Sequence, residues 1–200
     1  DVLCTDKTGT ITQNKLSVGA IRPYGEFTED DVLRFGVLSS KRGNNDAIDD
    51  AIIKRADEVH NLEIIPEKLR LEFKPFDPVS KRTESTFKTS DGSQFKVSKG
   101  APQVIASLVK ESVNISDKIK NDVLDFAEKG YRALGIAKTD SEGSWRFVGL
   151  LALFDPPRDD SAETIASAQK MGINVKLVTG DHVAIAKEIA RRVNLGQNMA

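Results

Sequence analysis

The chain has 200 residues, of which 39% are hydrophobic and 30% charged, and its 29 basic and 30 acidic residues give a formal net charge of -1. This length and composition can bury a core in one or two domains, and the balanced charge excludes a general attraction to nucleic acid. A single cysteine, Cys4, excludes a disulfide framework and a cysteine-based zinc site. Its place in the apolar run 2–4 predicts a buried, reduced thiol.

The predicted elements begin with a strand at residues 2–5, followed by helices at 29–40 and 46–58. Alternating strands follow at 69–76, 83–89 and 94–98, the last two joined by a hairpin at Asp91-Gly92. Helices at 101–110 and 116–129 and a strand at 133–138 complete this middle region. The pattern is typical of an α+β fold with an antiparallel sheet.

The last part of the chain returns to a strand–helix alternation. An apolar strand at 148–154 leads to a helix that a capping box of Asp160 and Glu163 would start and Gly172 would end. A strand at 175–178 and a helix ending at Gly196 follow. Buried strands alternating with helices predict a parallel α/β sheet covered on both faces.

The two ends therefore predict one α/β domain, made of residues 1–16 and 148–200, with a second domain inserted at 17–147. The longest apolar run, 148–154, is far shorter than the roughly 18 residues of a membrane-spanning helix. The chain also opens without Met on strand residues, which predicts that it is an excised part of a larger protein.

Chemistry is expected where the parallel strands end, since ligands of such sheets bind outside the carboxyl ends of the strands. Three strand ends combine a carboxylate with phosphate-binding groups; they carry Asp6-Lys7-Thr8, Asp155-Pro156-Pro157-Arg158 and Thr179-Gly180-Asp181. An aspartate can attack phosphorus and form an aspartyl-phosphate, with help from Mg²⁺ and a basic residue. A single such aspartate would more often be a helix cap or a turn residue, but three in this order favour phosphoryl transfer.

The string Asp6-Lys7-Thr8-Gly9-Thr10 resembles the phosphorylation motif of P-type ATPases, a branch of the haloacid-dehalogenase superfamily. The likeness covers essentially the whole chain and is closest to the plasma-membrane proton pumps. Further strings carry it, namely 1–4, 45–49, 75–79, 81–83, 99–102, 155–164 and 179–181.

This resemblance implies that Asp6 is the nucleophile, beside Lys7, and that the backbone carbonyl of Thr8 joins Asp6 in holding Mg²⁺. Thr179 would bind the phosphoryl group, with Gly180 and Asp181 shaping its loop. Asp155 and Arg158 would contact or orient the phosphates and ribose of ATP. Thr8 also stands where phosphatases of this superfamily have a second aspartate, and the loss of such a general base slows hydrolysis by roughly 10²–10⁴.

In the inserted domain the resemblance implies an ATP site. Phe76 would stack on adenine, Lys81, Lys99 and Gly100 would line the pocket, and Arg132 would reach the phosphates. Asp46 and Asp49 match acidic residues near adenine. The alternatives remain an ordinary core position for Phe76, solvated charges for the basic residues and a solvated helix face for Asp46 and Asp49.

The sequence therefore predicts the catalytic cytoplasmic part of an ATP-driven cation pump, with H⁺ as the ion expected from the subfamily. The family's second carboxylate loop, its phosphate-contacting lysine, its transmembrane helices and its actuator domain do not occur in these residues, so we expect ATP binding without turnover. Two alternatives remain open: a soluble phosphatase or phosphotransferase of the same superfamily, and a non-catalytic nucleotide-binding module.

Overall fold

A computed structural model of the protein describes residues 1–109 and 113–195, which form two compact units. Unit 1 comprises the described residues of Asp1–Leu16, Leu124–Arg132 and Phe154–Ala200, and unit 2 comprises those of Ser17–Val123 and Ala133–Leu153. The strands are β1 Val2–Asp6, β2 Ser17–Pro23, β3 Arg70–Asp77, β4 Arg82–Lys88, β5 Gln94–Gly100, β6 Arg132–Thr139, β7 Trp145–Phe154 and β8 Asn174–Val178. The helices are α1 Glu29–Leu38, α2 Ala47–Asp57, α3 Pro102–Leu108, α4 Val113–Glu128, α5 Ser161–Lys170 and α6 Val183–Arg192.

Unit 1 contains a parallel pair of strands, β1 and β8, in which Val2 lies opposite Asn174 and Asp6 opposite Val178. The apolar sides of α5 and α6 pack with this pair around Ile165, Ile185 and Ile189. Gly172, at φ +81, ends the turn between α5 and β8, as its sequence position indicates. The predicted parallel α/β arrangement is confirmed.

Two expectations for unit 1 are wrong. Cys4 is exposed rather than buried, and Val2 and Leu3 beside it on β1 are 64% and 49% exposed. In the described part of the chain β1 pairs with β8, and this pair is not covered on both faces, so its apolar side chains stay accessible.

The expected capping box at the start of α5 does not form either. Asp160 has helical backbone angles and makes no side-chain capping bond. The hydroxyl of Ser161 instead donates to the carbonyl oxygen of Ile11 at 2.8 Å, and the N–H of Arg158 donates to the same oxygen at 2.9 Å. A tertiary contact therefore starts this helix where the sequence predicts a local cap.

Unit 2 is built on a six-stranded sheet in the order β2-β7-β6-β5-β4-β3. The pairs β3–β4, β4–β5 and β5–β6 are antiparallel, which confirms the predicted antiparallel sheet. The hairpin at Asp91-Gly92 also forms, with Gly92 at φ +90. The edge strand β2 has no counterpart among the predicted elements, and it contains Gly19 and Pro23, residue types that are depleted in strands.

The core of unit 2 lies between this sheet and helices α1 and α2. It includes Val32, Leu33, Ile52, Phe87 and Leu151. Helix α1 starts at a capping box of Thr28 and Asp31, and α2 starts at Asp46, whose carboxylate accepts from the N–H groups of Ile48 and Asp49. These caps stabilise the N-terminal ends of both helices.

The predicted domain limits stay a prediction. The compact units differ from them in two places, since residues 124–132 group with unit 1 and residues 148–153 with unit 2. The predicted ends of two helices, at Lys110 and Gly196, lie outside the described residues. Within residues 1–109 and 113–195, none of the helices is both long and apolar enough to cross a membrane.

We predict that Glu188→Gln makes the stability of the protein less dependent on pH. Hydrogen bonds from Arg191 and Arg192 lower the pKa of Glu188 from 4.5 to about 2. A carboxylate with a lowered pKa stabilises the fold above its unfolded pKa and loses that contribution as the pH falls from about 4.5 to about 2. Urea unfolding should show a loss of about 0.5–1 kcal/mol at pH 7 that shrinks toward pH 3. The exposed Glu163→Gln in α5 is the control, and an equal loss at both pH values would contradict the prediction.

Candidate functional site

The first group of predicted site residues lies at the carboxyl ends of β1 and β8. Because Asp6 is opposite Val178 in the parallel pair, the loops that follow the two strands are neighbours. The ammonium group of Lys7 lies 2.5 Å from Oδ2 of Asp181, and this ion pair joins the loops. The structure therefore brings together the six residues predicted for phosphoryl transfer: Asp6, Lys7, Thr8, Thr179, Gly180 and Asp181.

The accessibility of these residues fits contact with a ligand. Asp6 and Thr8 are exposed, and a Cβ added at Gly180 would meet open space. Thr179 is partly buried, and its hydroxyl accepts from the N–H of Asp181 at 3.2 Å. A phosphoryl group could approach the carboxylate of Asp6 from solvent without displacing protein atoms.

The turn after Asp6 is stabilised by a chain of hydrogen bonds that leads to the buried Asp155. Gly9 adopts φ +77, which glycine tolerates best, and its N–H donates to Oγ1 of Thr12 at 3.3 Å. The hydroxyl of Thr12 donates in turn to Oδ2 of Asp155 at 2.6 Å, and the N–H of Lys15 donates to Oδ1 at 2.9 Å. Thr12 is completely buried and Asp155 is 8% exposed. This arrangement fixes the loop that carries Asp6.

The segment 155–158 supports the same loop with its backbone. The N–H of Gln13 donates to the carbonyl of Pro156 at 3.0 Å, and Thr12 bridges to Pro157. Both carboxylate oxygens of Asp155 already accept hydrogen bonds, from Thr12 and Lys15. The predicted contact of Asp155 with ATP is not tested by this arrangement and stays a prediction. The guanidinium of Arg158 is 50% exposed, with Nε 3.5 Å from Asp160, and remains available to an anion.

The second group of predicted residues surrounds a buried ion pair in unit 2. Nζ of Lys99 lies 2.6 Å from Oδ1 of Asp49, and the two side chains are 4% and 3% exposed. Lys99 also donates to the carbonyl oxygen of Ser39 at 2.6 Å. Oδ2 of Asp49 accepts from the N–H of Lys41 at 2.9 Å and from Nδ2 of Asn44 at 2.8 Å. Burial lowers the pKa of Lys99, and the charge of Asp49 opposes that shift.

This pair decides one alternative that the sequence left open. Asp49 does not lie on a solvated helix face; it is the buried partner of Lys99. Asp46 is the N-cap of the same helix, which explains the spacing of the two aspartates without a ligand. A contact of either one with adenine stays a prediction.

Three further predicted residues lie at one end of the same sheet. Phe76 is 54% exposed near the end of β3, so it is not a core residue. Lys81, in the turn between β3 and β4, is exposed at φ +51, and its carbonyl oxygen accepts from the N–H of Ala101 at 3.2 Å. A Cβ at Gly100 would lie 2.4 Å from that carbonyl oxygen, so only glycine fits there. Arg132 begins β6, is exposed and groups with unit 1; its predicted reach to the phosphates stays a prediction.

The donors at Asp6 and Thr8 suit Mg²⁺. This ion prefers oxygen ligands, commonly one or two carboxylates completed by water and substrate phosphates. An exposed carboxylate at Asp6 and the nearby carbonyl of Thr8, whose backbone leaves the helical region at φ -76 and ψ 121, provide such a partial set. The described residues contain no cluster of three or more His, Cys, Asp or Glu side chains that could hold a metal by themselves.

Sequence reasoning missed the supporting residues of both groups. Thr12 is one of several threonines in its loop, and nothing in the local pattern separates it from Thr8 or Thr10. Its partner Asp155 is 143 residues away, so the contact could be recognised only in the folded chain. Ser39 is likewise 60 residues from Lys99, to which its carbonyl oxygen is bonded. Lys41 is near Asp49 in the sequence but contributes its backbone N–H, which no residue type signals.

We predict that Thr12→Val destabilises unit 1, because it removes the hydroxyl that donates to buried Asp155. A buried acceptor that loses its donor costs about 1–3 kcal/mol. The exposed Thr10→Val, in the same loop, should change the free energy of unfolding by less than about 0.5 kcal/mol. Urea unfolding of the two variants tests this, and equal losses would show that the hydroxyl of Thr12 does not hold the loop.

We also predict strong coupling between Lys99 and Asp49. Lys99→Ala or Asp49→Ala alone should lower the free energy of unfolding by about 3–5 kcal/mol, since each leaves a buried charge without its partner. The double variant should lose less than the sum of the two. Lys88→Ala, at the exposed end of β4, is the control for loss of a lysine. Additive losses in this double-mutant cycle would contradict the coupling.

Known proteins match this chain over nearly its whole length. The family model described as haloacid dehalogenase-like hydrolase matches residues 1–199. A protein of Methanocaldococcus jannaschii named as a cation-transporting ATPase is 44% identical over 199 residues, covering 100% of this chain and 24% of that protein. Plasma membrane ATPase 1 of Saccharomyces cerevisiae is 38% identical over 206 residues, covering 100% of this chain and 22% of that protein.

A solved structure supports the fold. The crystal structure of a zinc-transporting PIB-type ATPase in its E2.Pi state has a TM-score of 0.64 and 23% sequence identity, covering 97% of this chain and 28% of that one. At this identity the match shows the fold alone. The chain spans about a quarter of the length of the curated relatives it matches. The match of the family model to nearly all residues shows that the chain belongs to the haloacid dehalogenase-like hydrolases.

Proposed function

We propose that the chain is the catalytic part of an ATP-driven cation pump of the P type, in which Asp6 accepts the γ-phosphate of ATP. The observation that carries the proposal is the position of Asp6. It is exposed at the carboxyl end of a parallel strand, beside the loop that Lys7 and Asp181 tie to it. Relatives named as cation-transporting ATPases, which match this chain over its full length, support the choice of this activity.

The proposed reaction is an in-line displacement at phosphorus. One carboxylate oxygen of Asp6 forms a bond to the γ-phosphorus while the bond from that phosphorus to the β–γ bridging oxygen breaks, and ADP leaves with the electron pair. The hydroxyl of Thr179 and the N–H of Gly180 would donate to the phosphoryl oxygens. Lys7, held by Asp181, contributes positive charge beside the nucleophile.

Asp6 and the carbonyl of Thr8 would hold Mg²⁺, together with oxygens of the bound phosphates. When bound, the ion neutralises charge on the transferring group. The protein's own contribution is to keep these two oxygens in a fixed loop, which the chain of bonds from Gly9 through Thr12 to Asp155 provides.

ATP would bind in unit 2 with its adenine on the exposed ring of Phe76. Lys81 and Gly100 lie at the same end of the sheet, and Lys99, which is paired with Asp49, would line the pocket beside them. Asp46 would stand near adenine at the start of α2. Arg132, Arg158 and Asp155 are the remaining residues proposed to contact or orient the nucleotide.

In the complete protein this part would lie at the cytoplasmic face of the plasma membrane. It would work with the transmembrane helices and the actuator domain of the same chain. The cation, H⁺ by subfamily resemblance, would bind in the membrane part, because ion choice depends on membrane carboxylates and carbonyls. The fragment itself would bind ATP without turnover.

We predict that Phe76→Ala weakens ATP binding to the 200-residue chain without unfolding it. Loss of an aromatic stacking platform costs roughly 1–3 kcal/mol, which corresponds to a Kd about tenfold higher or more. Leu71→Ala is the matched control, since Leu71 is on the same strand and 53% exposed, against 54% for Phe76. Calorimetric titration with ATP tests the pair. Equal affinities for the two variants would refute the adenine site at Phe76.

Asp6→Asn separates binding from chemistry. The fragment should bind ATP as before, while the complete parent protein should no longer form an acid-stable phosphoenzyme with γ-labelled ATP. A phosphoenzyme that survives this change would overturn the role of Asp6. Hydrolysis of small phosphoesters by a chain that does not bind ATP would favour the phosphatase alternative. ATP binding by a parent protein that forms no phosphoenzyme would favour the nucleotide-binding module.

A further inference from the structure

Arg70, the first residue of β3, places a guanidinium group inside unit 2. Its side chain is 8% exposed, and Nε and Nη1 are buried without a hydrogen-bond partner in the described chain. A buried N–H group that makes no hydrogen bond costs free energy, so native proteins leave few of them. These donors therefore call for an acceptor that the protein itself does not provide.

The other contacts of Arg70 hold the group in place. Nη2 donates to the carbonyl oxygen of Ser40 at 2.7 Å and lies 3.1 Å from Oε2 of Glu67. The guanidinium carbon lies 5.1 Å and 5.2 Å from the ring centres of Phe73 and Phe87. Arg70 is thus fixed by its aromatic contacts and by the hydrogen bonds of Nη2. The N–H groups of Nε and Nη1 remain without an acceptor.

Arg70 lines a cavity of about 340 Å³ whose wall is largely apolar. Ile53, Ile64, Ile65 and Pro66 contribute to that wall. A volume in this range suits a small organic molecule, and ligand sites commonly combine an apolar wall with a few polar groups that fix orientation.

The charges around this cavity favour an anion. Lys41, Arg42 and Arg70 are basic, whereas Glu67, with 70% of its side chain exposed, is the acidic residue of the lining. Arg42 is paired with Asp57 at 2.8 Å and Nη2 of Arg70 with the exposed Glu67 at 3.1 Å, so Lys41 supplies the excess positive charge and Arg70 supplies the two nitrogens without a partner. Guanidinium groups bind carboxylate and phosphate oxygens through charge-assisted hydrogen bonds.

We propose that this cavity binds a small organic oxyanion, a carboxylate or phosphate group carried on an apolar body. The oxyanion would accept from the buried donors of Arg70, and the apolar body would lie against Ile53, Ile64 and Ile65. None of the residues proposed to hold ATP lines this cavity, so the site is separate from the proposed nucleotide site. The two are close in the chain, because Ser39 contacts Lys99 and Ser40 contacts Arg70.

Hexanoate is the first probe. Its binding to the 200-residue chain is monitored by NMR of the isoleucine methyl groups and of the arginine Nε–H groups. Hexanoate should give saturable shifts at Arg70 and at Ile53, Ile64 and Ile65. Hexanol, which has the same apolar body without the charge, should bind about tenfold more weakly or not at all. Equal shifts from both would overturn the role of Arg70.

Inorganic phosphate distinguishes the source of the oxyanion. If phosphate shifts Arg70 while hexanoate does not bind, the site takes a free anion and the proposed apolar ligand is wrong. If neither probe shifts Arg70, the rings of Phe73 and Phe87 satisfy the guanidinium, and the proposal fails.

Variants then locate the binding. Arg70→Met should weaken hexanoate by about tenfold or more, whereas Lys68→Ala, an exposed lysine two residues away, should leave it unchanged. If Arg70→Met does not fold, Lys41→Ala removes a charge from the rim and should weaken hexanoate by about twofold to fivefold. Unchanged affinity in a folded Arg70→Met, or in Lys41→Ala where it replaces that variant, would refute the site.

Discussion

An ionised side chain stays inside a protein only when neighbouring groups replace the water that it loses, and this constraint organises both units. Asp49 and Lys99 neutralise each other inside unit 2, and the backbone of Ser39 and Lys41 completes their hydrogen bonds. Asp155 is held inside unit 1 by Thr12 and Lys15. Each set joins segments that are distant in the sequence. The cost of an unpaired charge therefore fixes where these loops lie.

The buried and the exposed residues have different roles in each of the two candidate groups. Asp6 and Phe76 are accessible and can touch a ligand, whereas Asp49 and Asp155 act by holding backbone in place. Lys99 could have both roles, ligand contact and structural support. A nucleotide that reached its ammonium group would have to share that group with Asp49. In the proposed function Lys99 would line the pocket with its charge already balanced by Asp49. The exposed ring of Phe76 and the exposed Lys81 would supply the contacts that can adjust to the nucleotide.

The sequence predicted the elements whose signals are local. The strand ending at Asp6, the hairpin at Gly92 and the stop at Gly172 depend on neighbouring residues, and all three formed. It failed where a distant partner decided the outcome. Ser161 bonds to Ile11 in place of the expected cap at Asp160, and Cys4 lies on a strand that is left exposed. The motif located the candidate residues, but the bonds that hold the loop of Asp6 come from Asp155, more than a hundred residues away.

The same bonds bear on how long a phosphate on Asp6 would last. Hydrolysis of an aspartyl-phosphate is accelerated when a nearby carboxylate activates water, by roughly 10²–10⁴. Thr8 stands two residues after Asp6, where such a carboxylate could lie, and Asp181, in the neighbouring loop, is paired with Lys7. Asp155 has both oxygens engaged by Thr12 and Lys15. A carboxylate that holds a cation or a loop is a poor base, so this arrangement favours a slow second step. Slow loss of phosphate would suit the proposed pump, since a phosphoenzyme of that kind must persist through a conformational change.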